Sequence, residues 1–239
     1  VHLLEGKGVT KKFGGLTAVS KVDFAVDEGE VVGLIGPNGA GKTTLFNLIS
    51  ATYSPKPGTI HFNGVNITGK KPYQICRMGI ARTFQTVKIF GNLPVIENVR
   101  VGAFFGQDKS SSASDATNKS LELLDYVGLS SVASIPARDL TLANQKRLEV
   151  ARALATDPKM LLLDEIMAGL NQTEVTQAME LITSIRDRGI TIIMIEHVMK
   201  AIMSVCNRII VLHLGQKIAE GTPQEIASSE KVIEVYLGE

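Results

Sequence analysis

Two short stretches of this sequence carry residues that could handle phosphate. Gly36-Pro37-Asn38-Gly39-Ala40-Gly41-Lys42-Thr43 fits the pattern G-x-x-x-x-G-K-[ST]. Its glycines let the backbone curl until successive N–H groups point at one anion, and a helix beginning there adds its positive end. Lys42 then reaches the β- and γ-phosphates of a nucleoside triphosphate. Thr43 offers a hydroxyl to Mg²⁺, and Thr44 continues the same turn. The second stretch, Leu161-Leu162-Leu163-Asp164-Glu165, closes an apolar run with two carboxylates. At the C-terminal tip of a strand, Asp164 would hold Mg²⁺ through water, and Glu165 would face the water attacking the γ-phosphate. On its own such a string reads equally well as an ordinary strand end. Coupled to the glycine-rich cradle, it reads as the second half of a triphosphate site.

These residues need a scaffold that delivers them to one sheet edge, and the surrounding pattern supplies it. Glu30–Ile35 is a short apolar strand running straight into the cradle, and Lys42–Ser50 has a helical pattern. Residues 58–64 read as a strand closed by an Asn-Gly turn, the usual hairpin chemistry. Beyond Pro94, segments 95–107 and 119–127 look helical, and the serine-rich stretch Lys109–Lys119 reads as a solvated connector. From Pro158 onward strands at Met160–Leu163, Ile190–Ile195 and Arg208–Leu214 alternate with helices at Thr173–Arg188 and after His197. Thr222-Pro223-Gln224-Glu225 is a capping box with proline at the first helical position. Strands alternating with helices imply a mainly parallel sheet covered on both faces.

Composition narrows the class. The 239 residues include 25 Lys and Arg against 24 Asp and Glu, so the formal net charge is +1. That balance argues against a nucleic-acid binder or a membrane-surface binder acting through overall charge. Two cysteines, Cys76 and Cys206, cannot build a disulfide framework and read as buried thiols in a reducing compartment. No apolar run approaches the roughly 18 residues a membrane span needs. Val1 in place of Met, with no signal-like segment after it, reads as a trimmed start.

Taken in order, these parts resemble the nucleotide-binding domain of ABC transporters over essentially the full length. The resemblance implies a P-loop NTPase: an α/β, RecA-like core with a mainly parallel sheet, an antiparallel β subdomain and an α-helical subdomain. It also implies a single domain over 1–239, with 1–86 and 156–239 as core and β subdomain, and 87–155 as helical subdomain. Gln85, in Ala81-Arg82-Thr83-Phe84-Gln85-Thr86, matches the family's Q-loop, touching Mg²⁺ and water, with the residues up to Phe90 facing a membrane subunit. His197 ends the Ile192–Glu196 run and resembles the switch histidine at the γ-phosphate. His2, His61 and His213 read as structural or solvated. Phe13, before Gly14-Gly15-Leu16, matches the aromatic that stacks on adenine; its plain alternative is a small-sheet core residue.

Finer strings narrow the resemblance further. Phe13-Gly14-Gly15-Leu16, Ala81-Arg82-Thr83-Phe84-Gln85, Val95-Ile96-Glu97-Asn98-Val99, Gly169-Leu170-Asn171, Ile195-Glu196-His197, Ala219-Glu220-Gly221-Thr222-Pro223 and Tyr236-Leu237-Gly238-Glu239 together are similar to the ATP-binding subunits of branched-chain amino acid importers. Urea and amide importers and lipopolysaccharide-export ATPases are near relatives. The resemblance implies ATP and Mg²⁺ as ligands. Its implied partners are two permease subunits, an identical or paralogous ATPase subunit and, indirectly, an external solute-binding protein, with no nucleic acid. It places the chain peripherally on the cytoplasmic face of the inner membrane, held by the permeases.

Three departures stand out. Where the family signature reads Leu-Ser-Gly-Gly-Gln, this chain has Leu140-Thr141-Leu142-Ala143-Asn144, a loop that in the family faces the opposite subunit's ATP. Thr141 keeps a hydroxyl and Asn144 an amide, while Ala143 brings a Cβ to a glycine position and makes positive φ costly. Ile166 replaces the proline after the glutamate, which loosens the turn, and Asn171 stands for the commoner Asp. The divergent loop keeps a second reading open, a nucleotide-gated supporting subunit whose paralogue does most of the hydrolysis. A small-molecule kinase is the third, but no acceptor site follows the Asp164 strand.

Overall fold

The computed structural model describes residues 2–106 and 112–237. In chain order, strands His2–Phe13 (β1), Leu16–Asp27 (β2) and Val31–Ile35 (β3) precede helix Lys42–Ile49 (α1). Strands Thr59–Phe62 (β4) and Val65–Asn66 (β5), helix Pro72–Arg77 (α2) and strand Ile80–Arg82 (β6) follow. Next come helices Val95–Phe105 (α3), Ala113–Tyr126 (α4) and Leu142–Leu154 (α5). Strand Met160–Asp164 (β7), helix Gln172–Asp187 (α6), strand Thr191–Ile195 (β8) and helix Met199–Val205 (α7) return to α/β alternation. The chain closes with strands Arg208–His213 (β9) and Gln216–Gly221 (β10) and helices Pro223–Ala227 (α8) and Glu230–Leu237 (α9).

The chain divides into two compact units, Val1–Pro72 with Ile182–Glu239, and Tyr73–Leu181. In the first unit β3 is central, paired in parallel with β8 on one side and β9 on the other, and β10 runs antiparallel beside β9. A second sheet, β2-β1-β4-β5, is antiparallel throughout. Every residue of β3 and β8 is buried, which is why both read as unbroken apolar runs rather than alternations. The β4–β5 hairpin turns on Asn63 and Gly64, both at positive φ (48° and 74°), as the Asn-Gly signal predicts. Thr222 and Glu225 form the expected reciprocal capping box on α8.

In the second unit β6 pairs in parallel with β7, also buried along its whole length. Helices α3, α4 and α5 share a core that includes Val95, Val99, Leu124, Leu129 and Leu148. Helix α3 lies so close to the end of α5 that a Cβ on Gly102 would sit 2.4 Å from the Arg152 carbonyl oxygen.

One segment differs from the sequence reading. The solvated connector expected over 109–119 is helical from Ala113, and α4 runs to Tyr126. The Ser112 hydroxyl accepts from the Asp115 N–H at 3.0 Å, capping the helix, and Ala116, Ser120 and Leu124 form a buried stripe at helical spacing. Serine and aspartate favour turns only until a cap and a buried face outweigh that preference. Residues 107–111, where that connector begins, lie outside the described residues, as do Val1 and the Gly238-Glu239 end of the C-terminal string.

Asn98, from the Glu-Asn-Val string, is fully buried in α3 and organises the loop before it. Its Oδ1 accepts from the Phe90 N–H at 2.7 Å, and its Nδ2 donates to the Phe90 and Pro94 carbonyls at 3.2 and 3.1 Å. Asn98→Leu keeps the volume and strands these groups. It is expected to lower stability by about 2 kcal/mol, or about 4–8 °C in Tm, read by thermal unfolding.

Two thiols complete the interior. Cys206 is buried at the end of α7, with its sulfur 3.0 Å from where a Gly33 Cβ would lie, and burial pushes its pKa up to about 12. Cys76 is half-buried on α2, and burial again raises its pKa.

Candidate functional site

In the first unit the cradle leaves β3 and ends at α1. Gly36 (φ 147°) and Gly41 (φ 102°) have conformations that L side chains rarely adopt. A Cβ on Gly36 would sit 2.1 Å from the Leu212 carbonyl oxygen, and one on Gly41 2.4 Å from that of Ala18. Backbone from β9 and β2 therefore presses against the loop, and the Gly215 N–H donates to the Ala40 carbonyl at 3.0 Å. The result is a fixed loop whose tip residues, Asn38 and Gly39, are exposed beside an exposed Thr43. Lys42 is 7% exposed, and its ammonium donates to the Gly36 and Pro37 carbonyls at 2.5 and 2.9 Å. That grip holds the ammonium beneath the loop.

His197 follows β8, whose Ile195 is in register with Leu34 of β3, so the histidine and the cradle leave the same edge of that sheet. Its side chain is exposed. Phe13 ends β1 at 42% exposure, so it is not the core residue of the plain alternative. Its ring meets Tyr53 edge-on at 5.2 Å, and Lys11 Nζ lies 5.2 and 5.1 Å from the two ring centres. The Tyr53 N–H donates to the Asn47 carbonyl at 2.9 Å, which ties this aromatic corner to the helix that begins at Lys42.

In the second unit Gln85 follows β6, Asp164 ends β7 and Glu165 comes next, all at the C-terminal edge of this parallel pair. The Gln85 side-chain amide donates to the Glu165 carboxylate at 3.0 Å. Asp164 is buried, and its Oδ2 accepts from Arg82 at 2.7 Å, while its Oδ1 is buried with no hydrogen-bond partner. Burial raises the Asp164 pKa, Arg82 opposes the rise, and Glu165 adds to it. Thr83 fixes the strand tip: its hydroxyl accepts from the Asp164 N–H at 3.1 Å, and its own N–H donates to the Leu162 carbonyl at 2.9 Å.

Glu165 has a left-handed backbone, φ 52°. The turn after it, which lacks the family's proline, was expected to be loose. It is closed by the Ala168 N–H donating to the Glu165 carbonyl at 3.3 Å, by burial of Ile166, and by Lys146. Asn171 caps α6, its Oδ1 accepting from the Thr173 and Glu174 N–H groups at 3.0 Å each. An amide oxygen caps as well as a carboxylate here.

The signature stretch differs most from expectation. Leu142 begins α5, capped by the Thr141 hydroxyl, which accepts from the Asn144 N–H at 3.4 Å. Ala143 is therefore in the first helical turn and buried, not at positive φ, and its Cβ carries no backbone strain. The exposed members of the stretch are Thr141 and Leu142, and Leu142 packs on Gly169, 3.0 Å from where a Cβ there would lie. Leu140 is buried against the helical core.

Several residues that the sequence reading did not single out support these groups. Arg82 holds Asp164. Glu149, buried in α5, accepts from the Lys88 N–H at 3.0 Å and from the Phe84 N–H, so one carboxylate grips both sides of Gln85. Burial raises the Glu149 pKa, and these donors with Arg152 oppose the rise. The available signal was a charge on an otherwise apolar face of α5, at Lys146 and Glu149 among Ala143, Val150 and Ala153.

Comparison with known proteins follows the same lines. The ABC transporter family model matches residues 19–168, and a branched-chain amino acid ATP-binding cassette transporter model matches residues 216–239. The chain is 42% identical to the high-affinity branched-chain amino acid transport ATP-binding protein LivG of Escherichia coli, covering 99% of this chain and 98% of the relative. It is 39% identical to the corresponding protein BraF of Pseudomonas aeruginosa over the same shares. Among solved structures, an ATP-binding cassette of an ABC transporter in its ADP conformation matches with a TM-score of 0.90 at 30% identity, covering all of both chains. A dimeric cassette in a post-hydrolysis state with ADP and phosphate matches at 0.83 and 27%, covering 92% of this chain and 98% of the other.

Proposed function

The chain belongs to the ABC transporter family, and from that premise we propose that it is the ATP-hydrolysing subunit of an importer for branched-chain amino acids or related amino acids and amides. The observation that carries this reading is the Gln85–Glu165 hydrogen bond beside Asp164. It joins, within one unit, the Q-loop glutamine and the strand-tip acid pair that the chemistry requires. Gly36, Pro37, Asn38, Gly39, Ala40, Gly41, Lys42, Thr43 and Thr44 bind the phosphates. Phe13 stacks on adenine, His197 contacts the γ-phosphate, and Glu165 takes the proton of the attacking water.

The donor set suits Mg²⁺. Asp164 Oδ1 is a buried carboxylate oxygen with no protein partner, and the Thr43 hydroxyl and Gln85 amide are oxygen donors on exposed residues. Mg²⁺, when bound, neutralises charge building on the β- and γ-phosphate oxygens. Arg82 keeps one oxygen of Asp164 occupied, so the other is the one offered to the ion.

No helix among the described residues is long and apolar enough to cross a membrane. The chain acts peripherally, on two permease subunits at the cytoplasmic face, and a solute-binding protein delivers cargo outside. It pairs with an identical or paralogous subunit, and Leu140, Thr141, Leu142, Ala143 and Asn144 face the partner's ATP. ATP favours the closed pair because its phosphates contact both halves; hydrolysis removes that differential affinity, and the pair reopens. The test is leucine uptake into vesicles holding the reconstituted transporter. ATP-dependent uptake lost on removal of this chain supports the reading; uptake unaffected by its removal refutes it.

The helical, leucine-bearing signature stretch favours a second reading, a supporting subunit beside a more active paralogue. Mutating Glu165 and the paralogue's glutamate in turn separates the two readings. Loss of turnover only with the paralogue's change selects the second.

A further inference from the structure

Lys146 is a charged side chain where an apolar one would be expected. It lies in α5 at 7% exposure, beside a shallow groove whose wall is largely apolar, with Arg147 and Glu174 alongside Ala143, Val150, Ile166 and Leu170. Burying an ammonium beside such groups is costly unless acceptors surround it. The acceptors are main-chain: Lys146 Nζ donates to the Glu165 carbonyl at 2.9 Å and to the Ala168 carbonyl at 2.6 Å. Those two oxygens bracket the tight turn that follows β7, the turn that gives Glu165 its left-handed backbone. A non-glycine residue persists in that region only when its surroundings over-determine it. With Ile166 in place of proline, ring rigidity is not among the constraints.

We propose that Lys146 is a positioning residue for hydrolysis: by clamping the carbonyls of Glu165 and Ala168 to the signature helix, it fixes the backbone from which the Glu165 carboxylate is aimed. Gln85 holds the same residue from its side chain, so Glu165 is secured at both ends by different elements. The inference rests on the reading of Glu165 as the residue that activates water. It goes beyond that reading by assigning the aim of that residue to a lysine that need not touch nucleotide. It also gives the divergent signature helix a task within its own chain. Leu142 on Gly169 and Lys146 on Glu165 and Ala168 fasten one helix to both ends of one short segment.

The test uses the purified full chain as wild type, Lys146→Met and Lys146→Arg. Lys146→Met keeps the stem and removes the donors. It is expected to lower kcat about 10- to 100-fold, the scale of a misplaced catalytic group. KM for ATP and the Kd for MgATP should stay within about twofold, because the interaction lost acts on the chemical step. Hydrogen exchange should accelerate at the amides of residues 166–170 and stay unchanged elsewhere in α5. Lys146→Arg keeps a cationic N–H donor at this position, so it should restore most of kcat and the exchange protection together. A Lys146→Met protein with wild-type kcat overturns the proposal. So does one whose kcat falls in step with global loss of exchange protection and a lowered Tm, since the lysine would then be holding the fold and not the aim. Wild type that fails to bind MgATP would overturn the reading of the whole site, and this proposal with it.

Discussion

Glu165→Gln is expected to bind MgATP normally and hydrolyse it about 10²- to 10⁴-fold more slowly, the usual contribution of a positioned general base. The substitution is unusually clean in this site. Lys146 bonds to the main-chain oxygen of residue 165, which is unchanged. The Gln85 amide, now on the Glu165 carboxylate at 3.0 Å, can donate to the new amide oxygen instead. Position is retained and basicity is lost. Phosphate release under single-turnover conditions measures the effect, alongside a nucleotide titration showing a Kd within about threefold of wild type. Undiminished turnover would move the base elsewhere, with His197 the next residue to mutate.

Lys42→Ala should act on the other side of the ledger of binding and chemistry, by weakening nucleotide affinity itself. The ammonium is buried under the cradle and held by the Gly36 and Pro37 carbonyls, so it is already placed and little ordering remains when phosphate arrives. Hydrogen bonds to charged groups contribute about 1.5–3 kcal/mol, so the Kd for ATP should rise about 10- to 100-fold. Calorimetric titration with ATP and with AMP makes the measurement specific. The loss should appear with the triphosphate and be nearly absent with the monophosphate, which lacks the phosphates that Lys42 reaches. Equal affinity of mutant and wild type for ATP would remove the cradle from the mechanism.

The cradle and the strand-tip acids were legible because spacing alone encodes them. A run such as Gly36–Thr43 has few other uses, and its place between a buried strand and a helix follows from local pattern. What could not be read were partnerships that end on main chain. Lys146 meets two carbonyls, Glu149 meets two N–H groups and Asn98 meets the backbone around Phe90, and a backbone group leaves no mark on residue identity. The Arg82–Asp164 pair spans 82 positions, beyond any local window. Ala143 shows a different failure. Matching the stretch to a glycine-rich loop carried over a glycine's conformation, while Thr141 as a cap and four helix-compatible residues after it turn the loop into the first turn of a helix. At 113–119 the serine-rich composition points to a connector, while the Ser112 cap and three buried side chains at helical spacing, Ala116, Ser120 and Leu124, make it a helix.

The two native thiols make this chain convenient for spectroscopy. The thiolate is the form that attacks alkylating reagents, and Cys206, shielded behind β3 with a pKa of about 12, stays protonated at any pH where the fold would be studied. Cys76 is also biased toward its protonated form by burial. A reporter cysteine introduced on an exposed residue such as Leu121 or Leu214 should therefore take a maleimide dye against low background. Distance changes during turnover could then be followed without first removing either native side chain.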